Sequence, residues 1–359
     1  MSKLKQINPY IFKILSVFLG ISFALCISEV ALRAFNYDYV PIRIQQLKEQ
    51  DKWREDSQNK FNDDKNIRSL GRTDWRHFHQ LEDEYVVYDN ELIWRPKKNF
   101  VVFNEQGFKG PNVSAKKNSS EIRIVALGDS NTAGPFRMLG WPGFLEKVLT
   151  KNNYNVKVLN AGVWGYTSYQ GVIRFKEMLK YEPDIVIICF GSNDAHMVPV
   201  SDKDYLKSKE FYKSVSHFKL CKLLFFIIDS ITARKKGLDS FVHRVSQEDY
   251  RRNLKAMITL SRQNNIQVVL LTRPFIGESH HKLWWKNFAP QYNEIIRETA
   301  ENEKVLLIDT YDYFKDKEPF FLDEGHFTDG GNIVAAQYIY KGLINSPILK
   351  ILKNIINTN

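Results

Sequence analysis

The segment IRIVALGDS, residues 122–130, decides the fold. Apart from Arg123 its first six residues are apolar, and isoleucine and valine dominate them. Short continuous runs of this kind are typical of parallel strands that are covered on both faces. Gly128, Asp129 and Ser130 follow without an intervening loop. The segment therefore predicts a buried strand that ends in a tight turn carrying Ser130.

Similar apolar runs recur downstream and alternate with stretches that have helical periodicity. The five predicted strands are 122–127, 156–160, 185–190, 267–272 and 305–309. The predicted helices between and after them are 141–151, 169–181, 248–264, 290–303 and 331–345. This alternation predicts a three-layer α/β/α sandwich with a mostly parallel five-stranded sheet. Residues 197–245 interrupt this alternation of strands and helices. They are predicted to form a helical insertion, either a cap or an interfacial membrane contact.

Chemically useful side chains follow the predicted strands. Ser130 follows the first strand, Gly165 the second and Asn193 the third, while Asp323 and His326 come beyond the fifth. In open α/β sheets the functional groups collect at the carboxyl ends of the strands. We therefore expect these residues to meet at one edge of the sheet.

The residue types are those that acyl transfer requires. Ser130 is the candidate nucleophile, His326 the general base, and Asp323 the residue that fixes the imidazole tautomer. The Ser130 N–H, the Gly165 N–H and the Asn193 amide are the candidate oxyanion donors. Trp164 is the candidate substrate-binding residue, and no metal or other cofactor is expected. The alternative for Ser130 alone is the N-cap of the following helix, a position that serine favours.

The four blocks resemble the SGNH-hydrolase superfamily, also called GDSL-like lipases and esterases. The blocks are Gly128-Asp129-Ser130, the glycine of Asn160-x-x-x-x-Gly165, Gly191-x-Asn193-Asp194 and Asp323-x-x-His326. The resemblance covers about residues 122–343. It implies the SGNH (flavodoxin-like) fold and a serine esterase. The segment NEQGFKG, residues 104–110, looks like one that precedes the serine block in some membrane-anchored members.

The N-terminus contains one long apolar run, residues 11–32. A helix needs about 20 residues to cross a bilayer core, so this run predicts a single transmembrane anchor. Lys3 and Lys5 precede it, which favours a cytoplasmic tail at 1–10 and an extracytoplasmic catalytic domain, periplasmic or cell-surface. A cleaved signal peptide and a buried helix are the alternatives. The remaining predicted regions are a linker and accessory segment at 33–120, the hydrolase domain at 121–347 and a tail at 348–359. Within the accessory segment, residues 86–88 and 100–103 are predicted to form short strands.

The net charge of +10 raises the question of nucleic acid as a partner. The basic residues are interleaved with acidic ones, and the sequence contains no zinc-finger spacing or RNA-binding signature, so nucleic acid is not an expected partner. The expected function is a serine ester hydrolase of acyl esters, O-acetyl esters included, acting on an acylated glycan or lipid. The alternatives are an O-acyltransferase to a glycan or glycolipid hydroxyl and a non-catalytic anchored glycan-binding protein.

Overall fold

A computed structural model describes the backbone of most of the chain. The described residues are 9–37, 86–89, 91–99, 103–134, 139–198, 200–215, 217–232, 241–277 and 285–349. Within them, residues 9–37 and 207–232 form one unit, and the other described residues form a second. Residues 1–8 of the predicted cytoplasmic tail and most of the predicted linker lie outside the described residues.

In the described ranges the chain forms nine strands. They are β1 (Val86–Asp89), β2 (Ile93–Pro96), β3 (Ile122–Gly128), β4 (Val156–Asn160), β5 (Ile185–Cys189), β6 (Met197–Val198), β7 (Val242–His243), β8 (Gln267–Leu271) and β9 (Leu306–Ile308). The same ranges contain ten α-helices. They are α1 (Pro9–Ala34), α2 (Ser130–Ala133), α3 (Gly140–Lys151), α4 (Ser168–Met178), α5 (Asp202–Val215), α6 (Lys219–Thr232), α7 (Gln247–Gln263), α8 (Ala289–Asn302), α9 (Thr310–Phe314) and α10 (Asp329–Ile344).

The central sheet has five strands in the order β4-β3-β5-β8-β9, and every pairing is parallel. All five strands were predicted, and their ends agree with the prediction to within one or two residues. The chain leaves β3 toward β4 and then returns to place β5 on the other side of β3. This reversal puts a topological switch point at the carboxyl ends of β3 and β5, where ligands bind in such sheets.

The two faces of the sheet pack against separate helical layers. Along β3, Val125 and Leu127 contact the cluster that includes α4, α7 and α8, whereas Ile124 and Ala126 contact the cluster that includes α3 and α10. All seven residues of β3 are buried, as a strand covered on both faces requires. The predicted three-layer α/β/α sandwich is confirmed.

The part of the predicted accessory segment that is described packs into this core. Leu92 and Phe108 are buried with Leu127 and Phe175 in one cluster. Asn104 orders the segment locally, because its Oδ1 accepts hydrogen bonds from the N–H groups of Gln106 and Phe108. At the other end of the chain, Ile348 and Leu349 are buried against the α3 and α10 layer. The packed chain therefore extends to at least Leu349, inside the segment predicted to be a tail.

Two local predictions in the accessory segment have different outcomes. Val86–Asp89 is a strand as expected, and it pairs antiparallel with Ile93–Pro96, which the sequence did not predict. A second strand was expected at residues 100–103; residues 100–102 lie outside the described residues, and Phe103 forms one isolated bridge to Lys109.

The inserted segment between β5 and α7 contains helices, as predicted. It begins and ends with the short antiparallel pair β6 and β7, and α5 and α6 lie between them. The N-terminal apolar run is also helical: α1 has 26 residues, and Lys13–Ala34 is long and apolar enough to cross a membrane.

Candidate active site

The turn after β3 presents Ser130 at the carboxyl end of the sheet. Asp129 is the N-cap of α2, because its side chain accepts a hydrogen bond of 2.8 Å from the Asn131 N–H. Ser130 is therefore the first helical residue, and the alternative that Ser130 is the cap is wrong. Gly128 has no room for a side chain, since a Cβ there would lie 2.1 Å from Thr132 Oγ1 and 2.6 Å from the Cys189 carbonyl oxygen.

The structure brings the three predicted catalytic side chains into one hydrogen-bonded chain. Ser130 Oγ lies 2.7 Å from His326 Nε2, and His326 Nδ1 lies 2.8 Å from Asp323 Oδ2. An ionised carboxylate only accepts hydrogen bonds, so the imidazole carries its proton on Nδ1 and offers a lone pair at Nε2. In this tautomer Ser130 donates its hydroxyl proton to His326.

The electrostatics of Asp323 suit this tautomer. Burial acts to raise the pKa of Asp323, but the adjacent His326 imidazole and the backbone N–H groups of Gly325 and His326 hold that pKa below its usual value. Asp323 Oδ1 accepts from those two N–H groups at 2.8 and 2.9 Å. The same bonds shape the turn, so one side chain both orders the loop and orients the base.

Aromatic packing anchors the loop that carries the base. Phe321 and Phe327 flank the loop and form an isolated antiparallel bridge, and their rings pack in a tilted arrangement with a centroid distance of 4.9 Å. Both are buried against Phe314. The Leu322 N–H donates to the His326 carbonyl at 2.7 Å, which closes the turn. The position of His326 thus depends on core packing as well as on its own hydrogen bonds.

The predicted oxyanion donors Gly165 and Asn193 belong to two loops that are tied together. The Asn193 amide donates to the Tyr166 carbonyl at 3.0 Å, and since an amide nitrogen carries two hydrogens, a second N–H remains to be offered to an oxyanion. Gly165 has φ +74°, and its carbonyl accepts from the buried Arg244 guanidinium at 2.8 Å. The Arg244 bond fixes the Gly165–Tyr166 peptide, which directly follows the Gly165 N–H in the chain.

Trp164 is only 8% exposed. Its indole N–H donates to the Gly134 carbonyl at 3.2 Å, and its ring packs edge-on against Phe103. Lys109 lies over the same ring, with Nζ 5.6 Å from the centroid. These contacts give Trp164 a packing role beside the serine turn, and its assignment to substrate binding stays a prediction.

Arg273 is a site residue that the sequence reasoning missed. Its side chain is 2% exposed, and Nε donates to both carboxylate oxygens of Asp129 at 2.8 and 3.1 Å. Its Nη1 donates to the Gly325 carbonyl at 2.7 Å, and the Asn131 amide donates to the same carbonyl. Arg273 therefore joins the residue before the nucleophile to the residue before the base. Its position two residues after β8, at a strand end, was the signal that could have identified it.

Replacing Arg273 with methionine should destabilise the protein by about 3–5 kcal/mol, because it leaves the Asp129 charge buried and unpaired. Arg252→Met is the matched control, since Arg252 pairs with Glu248 and Asp249 on the surface. Such exposed pairs contribute about 0–1 kcal/mol. Denaturant unfolding of the detergent-solubilised chain measures the change in the free energy of unfolding for both variants. Equal unfolding midpoints for the two variants would contradict this role of Arg273.

Asp194 lies in the third block, directly after Asn193, and is fully buried. Its Oδ1 accepts from the Ser168 N–H at 2.9 Å and from the Ser168 hydroxyl at 2.5 Å. In the part of the chain that the structure describes, its Oδ2 has no hydrogen-bond partner. Burial raises the pKa of Asp194 to about 7. The folded protein therefore holds this carboxyl in its neutral form over a range in which the unfolded chain ionises it.

This difference predicts a pH dependence of stability. From the ordinary pKa of 3.8 up to about 7 the unfolded chain loses the Asp194 proton while the folded chain keeps it. The stabilisation that the folded protein gains from this protonated carboxyl is thus fully present below about pH 4 and is lost as the pH rises toward 7. Asp194→Asn cannot ionise, so the melting temperature of this variant relative to wild type should rise across that window. A difference that stays constant with pH would refute the assignment.

Comparison with known proteins places the site in a family. Residues 126–332 match the model of the GDSL-like Lipase/Acylhydrolase family. The uncharacterized lipoprotein YqeF of Bacillus subtilis is 25% identical over 261 residues, 63% of this chain and 90% of the relative. An arylesterase of Vibrio mimicus is 35% identical over 86 residues, 23% of this chain and 42% of the relative, so the match spans less than half of that enzyme.

Among solved structures, the lipase/acylhydrolase from Enterococcus faecalis is 21% identical, with a TM-score of 0.44. The alignment covers 61% of this chain and 94% of that one. The family match extends over more than half of the 359 residues and contains the serine turn, the loops of Gly165 and Asn193 and the catalytic histidine candidate. This chain belongs to the GDSL-like lipase/acylhydrolase family and is an ester hydrolase.

Proposed function

We propose that this chain is a membrane-anchored serine esterase that works through an acyl-enzyme on Ser130. The observation that carries the proposal is the continuous hydrogen-bonded chain from Ser130 Oγ through His326 to Asp323, with both links under 3 Å. The nucleophile, the base and the residue that orients the base are in hydrogen-bond reach of one another, which is the arrangement that acyl transfer requires.

In the first half-reaction Ser130 Oγ attacks the ester carbonyl carbon and passes its proton to His326 Nε2. The negative charge then develops on the carbonyl oxygen, where the Ser130 N–H, the Gly165 N–H and the Asn193 amide donate. Collapse of this intermediate breaks the bond to the alcohol oxygen, and His326 returns the proton to the departing alkoxide. Asp323 stabilises the imidazolium that exists between these two proton transfers.

In the second half-reaction water attacks the acyl carbonyl, and its proton moves to His326 Nε2. The same donors hold the second oxyanion. Ser130 then leaves, regains the proton from His326, and the free acid is released. The acyltransferase alternative differs only in this step, because a sugar hydroxyl replaces the water.

The membrane location is supported by the composition of α1 and by a relative. Lys13–Ala34 has a mean hydropathy of 2.2 over its most apolar window, enough for a single span. YqeF, which aligns with 63% of this chain, is named a lipoprotein. With Lys3 and Lys5 on the cytoplasmic side, the catalytic domain would lie outside the cytoplasm.

An ester series tests the reaction and its acyl preference. The detergent-solubilised full-length chain should hydrolyse para-nitrophenyl acetate, butyrate and octanoate, and the dependence on chain length identifies the acyl group that the site accepts. Adding an oligosaccharide acceptor, followed by mass analysis of the products, separates the two activities. Free acid as the only acyl product supports the hydrolase, whereas acylated oligosaccharide as the main product would establish the transferase.

Asn193→Ala should lower kcat by about 10²–10³ and leave KM nearly unchanged, because an oxyanion donor acts on the transition state and not on the bound ester. Asn253→Ala is the control, since that amide donates to the Ser168 hydroxyl at 2.9 Å and not to the oxyanion. Steady-state kinetics with para-nitrophenyl acetate measure both variants. An equal loss in the two variants, or a loss confined to KM, would remove Asn193 from the oxyanion hole.

A further inference from the structure

Helix α6 of the inserted segment exposes a run of large apolar side chains. Leu224, Phe226, Ile227 and Ile228 are between 44% and 54% exposed, and Phe218, just before the helix, is 53% exposed. A surface helix of a soluble protein turns such residues toward its core. Contiguous exposed apolar surface marks a site of contact with a partner or a membrane.

The N-terminus of α6 is bound by a residue of α1. Glu29 Oε2 accepts from the Leu220 N–H at 2.8 Å, and Glu29 Oε1 accepts from the Lys219 N–H at 3.0 Å. Glu29 thereby caps α6 from 190 positions away and places a negative charge at the positive end of the helix dipole. A carboxylate inside an apolar run is costly unless it is paired, and these bonds supply the partners.

Arg33 adds to this contact between the end of α1 and the start of α6, which we call the junction. Its Nε donates to Glu29 Oε1 at 2.8 Å, and its Nη2 donates to the His217 carbonyl at 2.9 Å, immediately before α6. Two side chains from the last turns of α1 thus bind backbone groups at three positions before and at the start of α6, namely His217, Lys219 and Leu220. The junction fixes the start of α6 beside the carboxyl end of α1.

The location of this junction identifies the partner. If α1 spans the bilayer, Glu29 and Arg33 lie at its carboxyl end, in the headgroup region, and α6 begins at that depth. With 14 residues α6 is shorter than the roughly 20 that a span requires. An apolar helix of this length held at the interface lies in the plane of the headgroup and acyl boundary. Lys219 and Lys222 on the helix suit anionic headgroups.

We propose that α6 is a second membrane contact, a helix that inserts its apolar side chains into the bilayer that α1 crosses and that is held there by the Glu29 and Arg33 junction. This inference rests on the membrane anchor of the proposed function. It gives the insertion at 197–245 a definite role, because the segment between β5 and α7 then binds the lipid surface.

Depth-dependent fluorescence quenching tests this role in the full-length protein. The chain is reconstituted in vesicles of phosphatidylcholine with a minor share of phosphatidylglycerol. Cys26 and Cys221 are replaced by serine, and the buried Cys189 is kept. Single cysteines labelled with an environment-sensitive fluorophore are introduced as Ile228→Cys in α6, Leu19→Cys in α1 and Glu248→Cys, whose side chain is 86% exposed, as the aqueous control.

The expected result is a blue-shifted emission at position 228, protection from aqueous iodide, and quenching by lipid that carries a nitroxide near the headgroup. Position 19 should be quenched by a nitroxide deep in the acyl region, and position 248 by iodide alone. Adding Glu29→Ala should restore iodide quenching at position 228 and leave the turnover of para-nitrophenyl acetate unchanged, because Glu29 has no part in the reaction.

Three results would overturn the inference, and they are distinguishable. Iodide quenching at 228 equal to that at 248, with position 19 still in the lipid, refutes the second contact and leaves the anchor intact. Protection at 228 without nitroxide quenching means that protein, a second copy or another chain, covers α6. Absence of nitroxide quenching at both 19 and 228 refutes the anchor and the second contact together, while ester turnover in the same vesicles reports separately on the esterase.

Discussion

Replacing Ser130 with alanine is expected to lower kcat/KM for para-nitrophenyl acetate by on the order of a millionfold, to the level left by binding and the oxyanion donors. The reason is that the acyl-enzyme cannot form without the Ser130 oxygen. His326→Ala should cost about as much, and the double variant little more, because a nucleophile and its base that are 2.7 Å apart act as one unit.

Ser192→Ala provides the matched control for this loss. Ser192 is buried and lies in the Gly191-x-Asn193 block, and within the described residues its hydroxyl has no hydrogen-bond partner. This variant should keep near-normal turnover. A Ser130→Ala enzyme that remains as active as Ser192→Ala would show that the ester is cleaved at another site.

Asp323→Asn is expected to lower kcat by about 10⁴-fold with the fold intact. The asparagine oxygen can still accept from the backbone N–H groups of Gly325 and His326. Its amide NH₂, however, faces His326 Nδ1 as a donor, which favours the tautomer with the proton on Nε2. That tautomer cannot accept the Ser130 proton, so the base is lost although the loop is kept.

The control for Asp323 is Asp312→Asn, which removes a carboxylate that pairs with Lys315 on the surface. Its turnover should match wild type. Measuring kcat over a range of pH tests the tautomer effect. The reduction of kcat in Asp323→Asn should persist at every pH at which the wild type is active. Recovery of full activity at alkaline pH would contradict the role assigned to Asp323.

The sheet and its helices were predictable because their signals are local. Ile122–Gly128 and Ile185–Cys189 are nearly continuous apolar runs, and strands covered on both faces require such composition. The expectation that Ser130 and Asn193 meet rests on topology, since their strands are parallel neighbours and the carboxyl ends of such strands lie at one edge of the sheet. The position of His326 could not be predicted in this way, because it depends on the packing of Phe321 and Phe327 on either side of its loop.

The features that were missed depend on partners far away in the sequence. Arg273 binds Asp129 across 144 positions, and nothing in its neighbourhood specifies that contact. Glu29 caps a helix that begins 190 positions away. In the sequence alone Glu29 is only a charged residue near the end of an apolar run. The β2 strand begins at Ile93 with φ +68°, a conformation that a β-branched residue rarely adopts and that sequence propensity argues against.

The most direct test of the central claim is to map where a fluorophosphonate reacts. Such a reagent forms a phosphorus–oxygen bond with an activated serine and releases fluoride, and peptide mass analysis locates the adduct. The folded wild-type chain should carry the adduct on Ser130, and the His326→Ala variant should carry none. An adduct on another serine, or an unmodified Ser130 in a preparation that hydrolyses esters, would show that Ser130 is not the nucleophile.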